Sequence, residues 1–281
     1  MGYSRPMPAG SANCIRYFRL PFAGIDAMRA STARSFARHT HDQYGIGLVD
    51  SGGHSSWSGR GQVVAGPGSF ITVNPGEVHD GAPVGGRPRD WRILYFEPGT
   101  LADLRADVLD GGAAEFTFAK PVFDDGSLRA AFESALAFAG ASASDGVDAA
   151  RACEVALLTL IAELGAHSTA RQVARTRPVA NLRRARERID ADPAAAVTLA
   201  ELARDLDVSR YQLIRAFRRE TGLSPHAYIV QRRLSFARRL IRAGRPLAEV
   251  AHLAGFCDQS HLARCFTRQF GVPPVRYALS S

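Results

Sequence analysis

Leu199-Ala200-Glu201-Leu202-Ala203 returns forty-eight positions later as Leu247-Ala248-Glu249-Val250-Ala251. Downstream, Leu213-x-Arg215-x-Phe217 returns as Leu262-x-Arg264-x-Phe266, now forty-nine positions on, so one residue has been inserted within the second copy. Gly222-Leu-Ser-Pro225 is matched by Gly271-Val-Pro-Pro274, and Tyr228 by Tyr277. Two copies of one helix–turn–helix unit explain this pattern, and that unit is a common device for entering the major groove of DNA.

Local signals support the two helices of each copy. Thr198 is an N-cap with Glu201 three residues on, a capping box. Leu199, Leu202, Ala203 and Leu206 form the buried stripe that follows. After the turn Asp207-Val208, Ser209 caps a second helix over Ser209–Thr221, which Gly222 closes. At about 100° per residue, Leu213, Ala216 and Phe217 fall on one buried side. The opposite side carries Tyr211, Arg215 and Arg218, flanked by Ile214 and Arg219. In the second copy Asp258 is the cap, and Leu262, Cys265 and Phe266 are inward. Ser260, Arg264 and Thr267 are outward there, with His261 on the flank. An arginine central on an exposed helix face suits bidentate contact with guanine O6 and N7, the competing use being a phosphate contact. Asn181–Ala191 is a preceding helix, and Pro225–Arg242 is one long helix that sets the distance between the copies. Two helices in successive major grooves stand about 34 Å apart. A last short helix begins at Pro273-Pro274. Only the central arginine is common to the two outer faces, and the first is the more basic, so one chain reads two different short sequences.

The charge is divided accordingly. The 281-residue chain has a formal net charge of +8. Residues 171–281 hold 21 Arg against 9 acidic residues, whereas residues 1–170 hold 14 basic against 18 acidic. Only the second part is suited to a polyanion. Cys14, Cys153, Cys257 and Cys265 are scattered with no C-x-x-C, which argues against a disulfide framework or a zinc knuckle. No stretch approaches the roughly 20 apolar residues of a membrane span, and no secretory signal opens the chain, so a cytoplasmic protein is expected.

The first part reads as short strands: Arg16–Leu20, Ile25–Ala30, Tyr44–Val49, His54–Trp57, Gln62–Ala65, Ser69–Val73 and Trp91–Phe96. Gly and Pro turns separate them, as in a small sandwich or barrel. Before them, the first 15 or so residues read as a loose arm. His39-Thr-His41, Gly52, Gly66-Pro-Gly68 and Pro75-Gly-Glu-Val-His79 resemble the cupin pattern. In cupin enzymes such histidines hold a metal together with a glutamate, but Gln43, Tyr44 and Gly45 stand here where that acid belongs. A three-imidazole site of His39, His41 and His79 is therefore the lesser alternative. The stronger reading is a barrel that holds a small organic effector among His39, His41, Tyr44, Trp57, Glu77, His79 and Trp91. Ser127–Ala139 and Val147–Leu164 are helices separated by the spacer Gly140–Gly146, and the wide apolar face of the second (Leu157, Leu158, Leu160, Ile161, Leu164) suits a dimer contact. The polar, basic stretch 166–178 reads as a linker.

Leu202-Ala203, Ser209-x-x-x-Leu213-x-Arg215-x-Phe217, Gly222-x-Ser224-Pro225, Ile241, Ala251-x-x-x-Gly255-Phe256 and Phe266-x-x-x-Phe270-Gly271-x-x-Pro274-x-x-Tyr277 together resemble the AraC/XylS family of bacterial transcription regulators over about 100 residues. The resemblance implies an effector-controlled activator that contacts RNA polymerase. It places base contacts at Tyr211, Ile214 and Arg215, and at Ser260, His261 and Arg264. Ile214 departs from the polar residue some members carry there, and can read a thymine methyl instead.

The expected fold is α+β in two domains. Residues 1–165 form a cupin-like barrel with two following helices, residues 166–178 a linker, and residues 179–281 an all-α domain of about seven helices with two helix–turn–helix units. The DNA-binding set is Ser209, Tyr211, Ile214, Arg215, Arg218, Ser260, His261, Arg264 and Thr267. Expected partners are double-stranded DNA, a small-molecule effector, RNA polymerase and a second copy of the chain, with no cofactor and no membrane. The alternative from another class is a metal-dependent cupin enzyme fused to a DNA-binding domain.

Overall fold

β-branched and aromatic runs broken by Gly and Pro dictate short strands in the first part of the chain, and capped amphipathic runs dictate helices in the last. The computed structural model describes residues 13–58, 61–109, 116–140, 147–168 and 180–279. Most of the expected N-terminal arm, the spacer beyond Gly140 and the linker beyond Ser168 lie outside the described residues. The strands are β1 (Cys14–Arg19), β2 (Ile25–Thr32), β3 (Phe36–His39), β4 (Tyr44–Ser51), β5 (His54–Ser58), β6 (Gly61–Ala65), β7 (Phe70–Val73), β8 (His79–Pro83), β9 (Arg89–Phe96) and β10 (Val122–Phe123). The chain divides into two units, one holding described residues 13–35 and 42–168, the other 36–41 and 180–279.

In the strand-rich unit a six-stranded sheet runs β1-β2-β9-β4-β7-β10, and β8-β5-β6 form part of a second sheet. Among the described residues three helices follow β9 in this unit: α1 (Pro98–Val108), α2 (Gly126–Leu136) and α3 (Val147–Leu164). Strand alternation sends Ile25, Ala27, Ile46, Leu48, Phe70, Leu94 and Phe96 into one core with Leu101, Leu104, Leu128, Phe132, Leu157, Leu160, Ile161 and Leu164 of these helices. One helix more than expected is therefore present. Its sequence opens Pro-Gly-Thr and buries only Leu101 and Leu104, too thin a stripe to announce itself. Leu157, Leu160, Ile161 and Leu164 of α3 are buried inside this unit, Leu158 is half-buried against it, and Val155 is left exposed. Asp125 caps α2 by accepting from the Ser127 and Leu128 N–H groups, and it pairs with His167 at 2.6 Å. The Leu128 N–H first, then His167, hold its carboxyl well below the usual carboxylate range.

The other unit contains, among the described residues, the seven helices α4 (Ala180–Ala191), α5 (Leu199–Asp205), α6 (Arg210–Thr221), α7 (Pro225–Arg242), α8 (Leu247–Leu253), α9 (Gln259–Phe270) and α10 (Pro274–Leu279). Thr198 and Ser209 both form capping boxes, and Asp258 caps α9 by accepting from the His261 N–H. Gly222 and Gly271 close α6 and α9 in the left-handed conformation. The duplication is visible in the packing. Phe217 meets Tyr228 edge-on at 5.8 Å, and Phe266 meets Tyr277 at 5.4 Å. Segment 36–41 groups with this unit. Beyond β3 the Thr40 N–H donates to Gln231 Oε1 (3.3 Å) and its carbonyl accepts from Gln269 Nε2 (3.2 Å).

Candidate nucleic-acid interface and effector site

The two copies present their outward residues on capped, anchored helices. Leu213 and Phe217 of α6 are buried, as are Leu262 and Phe266 of α9. Ala216 and Cys265 are half-buried at the edge of each packed face. On α6, Tyr211 is 67% exposed, Arg215 and Arg218 are exposed, and Ile214 is half-buried. The Arg215 guanidinium lies over the Tyr211 ring at 5.7 Å. On α9, Ser260 and Arg264 are exposed and Thr267 is half-buried. His261 is also half-buried, its ring edge-on to Phe256 at 5.2 Å. Ser209 Oγ accepts the Gln212 N–H, so its hydroxyl is engaged as a cap. Leu182, Leu206, Val208, Gln212, Arg215 and Arg219 help to line an open groove of about 620 Å³ beside α6.

Within the helical unit, the two helix–turn–helix copies are tied together by a residue the repeat does not reveal. From α7, half-buried Arg233 donates through Nε to Pro193 O (2.9 Å), through Nη2 to Ala195 O (3.1 Å) and through Nη1 to Gly255 O (2.6 Å). It thus ties the loop before the first helix–turn–helix to the turn of the second. Gly255 has φ +75, and a Cβ there would stand 2.8 Å from Ala194 O. Asp207, forty-eight positions earlier, holds the equivalent turn at φ 52. The α7 helix has 18 residues, a length of about 27 Å at the usual rise.

The expected effector residues do not all come together. Trp91 is buried on the sheet face opposite the helices, beside Ala30 and Val49 on the neighbouring strands. Tyr44 lies on the helix-covered side, edge-on to Phe116 and Phe118, with its hydroxyl donating to Phe116 O at 2.8 Å. Trp57 is 43% exposed, because strand alternation turns it away from His54. Glu77 accepts from the Asn74 N–H and Nδ2 (3.2 Å each), which closes its own turn. His79 Nδ1 donates to Glu77 O at 3.1 Å. His39 and His41 do not share a strand, since β3 ends at His39 where Gln231 and Gln269 take up the Thr40 backbone. They group with the helical unit, and among the described residues no three His, Cys, Asp or Glu side chains converge as a metal site.

A different cluster gathers around Trp91. Arg89, two residues back on the same face of β9, is fully buried, and its guanidinium carbon lies 4.7 Å from the Trp91 ring centroid. Its Nε donates to His54 Nδ1 (2.9 Å) and its Nη1 to Arg34 O (3.2 Å). His54 is half-buried and edge-on to Trp91 at 5.8 Å. Burial first, then the Arg89 charge, pulls the His54 pKa down to about 3, and burial pulls Arg89 down to about 10. At neutral pH the imidazole is neutral and the guanidinium charged. Period-two reading of Arg89-x-Trp91-x-Ile93 could have found Arg89 had the strand been started two residues earlier.

Comparison with known proteins fits both units. Residues 202–279 match a family model described as a helix-turn-helix domain, and residues 22–161 match one described as an AraC-like ligand binding domain. The uncharacterized HTH-type transcriptional regulator YbfI of Bacillus subtilis is 26% identical over 245 residues, covering 86% of this chain and 87% of that one. The multiple antibiotic resistance protein MarA of Salmonella typhimurium is 31% identical over 86 residues, 30% of this chain and 68% of that protein. A structure of ToxT from Vibrio cholerae, bound to an unsaturated fatty acid, matches at a TM-score of 0.54 and 12% identity, covering 95% of this chain and 94% of that one. At that identity the likeness is one of fold. No helix among the described residues is long and apolar enough to cross a membrane.

Proposed function

The chain belongs to the AraC family of DNA-binding transcription regulators, and on that premise we propose that α6 and α9 read two different short sequences in adjacent major grooves under the control of a small organic effector. The observation that carries this reading is the pair Arg215 and Arg264. Each is exposed at the same place of a capped helix whose inward face is packed. Tyr211, Ile214 and Arg218 vary the contacts of the first helix, and Ser260, His261 and Thr267 those of the second. Because α6 and its end carry Arg210, Arg215, Arg218 and Arg219 against Arg264 and Arg268 on α9, the first helix supplies more of the phosphate affinity.

The protein works in the cytoplasm as an activator that contacts RNA polymerase, without a cofactor and without catalysis. A homodimer would match paired sites. With Leu157, Leu160, Ile161 and Leu164 buried in their own unit, its α3 contact is left to the outer side around Val155. Selection from random DNA followed by footprinting tests the reading. The expected result is one preferred site with two subsites about 34 Å apart. Uniform, salt-sensitive binding with no protected site would instead mean an architectural DNA binder.

A further inference from the structure

We propose that the effector of the strand-rich domain carries a carboxylate, and that this group docks between Arg89 Nη2 and His54 Nε2 above Gly81. The inference rests on the reading of this domain as effector-binding. Arg89 is fully buried, yet Nη2 has no hydrogen-bond partner, and no carboxylate among the described residues pairs with the guanidinium. A buried cation without a counter-charge is unfavourable, and an unmade N–H adds to the cost. His54 Nδ1 accepts from Arg89 Nε, so the single hydrogen of the neutral ring sits on Nε2 and makes that atom a second donor. The two donors flank one point. A Cβ built on Gly81 would lie 3.2 Å from His54 Cε1, 3.4 Å from His54 Nε2 and 3.7 Å from Arg89 Nη2, so the bare glycine backbone faces both side chains. No side chain of residue 81 fills that space, and the two oxygens of a carboxylate match two N–H groups side by side. Trp91 lies under the guanidinium and Ile93 continues the same face of β9, an apolar wall for the remainder of the molecule. His54 is half-buried, whereas Arg89 beside it is fully buried. A neutral alcohol or sugar would leave the charge uncompensated.

The test is calorimetric titration of the full chain with benzoate and hexanoate, with benzamide and hexanamide as neutral counterparts and inorganic phosphate as a further anion. Wild type, Arg89→Gln and Gly81→Ala are compared. An acid is expected to bind about tenfold or more tightly than its amide, and each variant to lose about tenfold or more of that affinity. DNA affinity without ligand should be unchanged in Gly81→Ala, which keeps the test valid if Arg89→Gln misfolds. Equal binding of acid and amide, undiminished acid binding in Gly81→Ala, binding of phosphate in place of both acids, or no binding of either acid at millimolar concentration overturns the assignment. A neutral metabolite that shifts DNA affinity equally in wild type and Gly81→Ala would remove the carboxylate site and leave effector control standing. If no metabolite of any class shifts DNA affinity, the effector-controlled reading falls as well.

Discussion

Two arginines held within the protein are treated in opposite ways. In the helical domain Arg233 is closed off by backbone carbonyls on three sides, from Pro193, Ala195 and Gly255. In the strand-rich domain Arg89 is more deeply buried and, among the described residues, is left with an unmade N–H and no counter-ion. A reader of two grooves needs its helices at one fixed distance, and saturated hydrogen bonding supplies that rigidity. A domain that responds to a small molecule gains from a polar group that only the ligand satisfies.

The contrast can be broken by treating both arginines alike. Arg233→Met orphans the three carbonyls and should cost about 3 kcal/mol in denaturant unfolding of the helical domain. A cost below about 1 kcal/mol would make Arg233 a surface accessory and not a brace. Arg89→Met removes an unpaired N–H together with two modest bonds, and should change the stability of the strand-rich domain by under about 1 kcal/mol in either direction. A loss as large as that at Arg233 would mean Arg89 is a structural post. The smallest effect sharpens the reader itself. Asp207 holds at φ 52 the turn position that Gly255 holds in the second copy, so Asp207→Gly should stabilise the helical domain by about 0.5 kcal/mol. A melting temperature below wild type would show that the Asp207 side chain supports the turn.

The difference between the domains also decides what could be read from residues alone. Thr198, Ser209, Gly222, Asp258 and Gly271 act within a few positions of themselves, so the ends of α5, α6 and α9 were legible. The strands were legible as runs, but their faces depend on where each run starts. Beginning the strand at Trp91 hid Arg89, and choosing Trp57 over His54 took the outward side of β5. The strand β8 reads His-Asp-Gly-Ala-Pro, with no β-branched or aromatic anchor, and its pairing with β5 is a long-range contact. Tyr44 was visible as an aromatic on a strand, but only the hydrogen bond to Phe116, seventy-two residues away, shows which side it serves. Contacts of that range leave no local signal.

The proposed function turns on one chain reading two different subsites with two scaffolded helices. It is tested by measuring base preference across the selected site for wild type, Arg215→Ala and Arg264→Ala. Each substitution should cost about 1–3 kcal/mol and relax preference in one subsite while leaving the other intact. Equal losses on the selected site and on random DNA, with preference unchanged in both subsites, would show that the arginines hold phosphates only and would contradict the account.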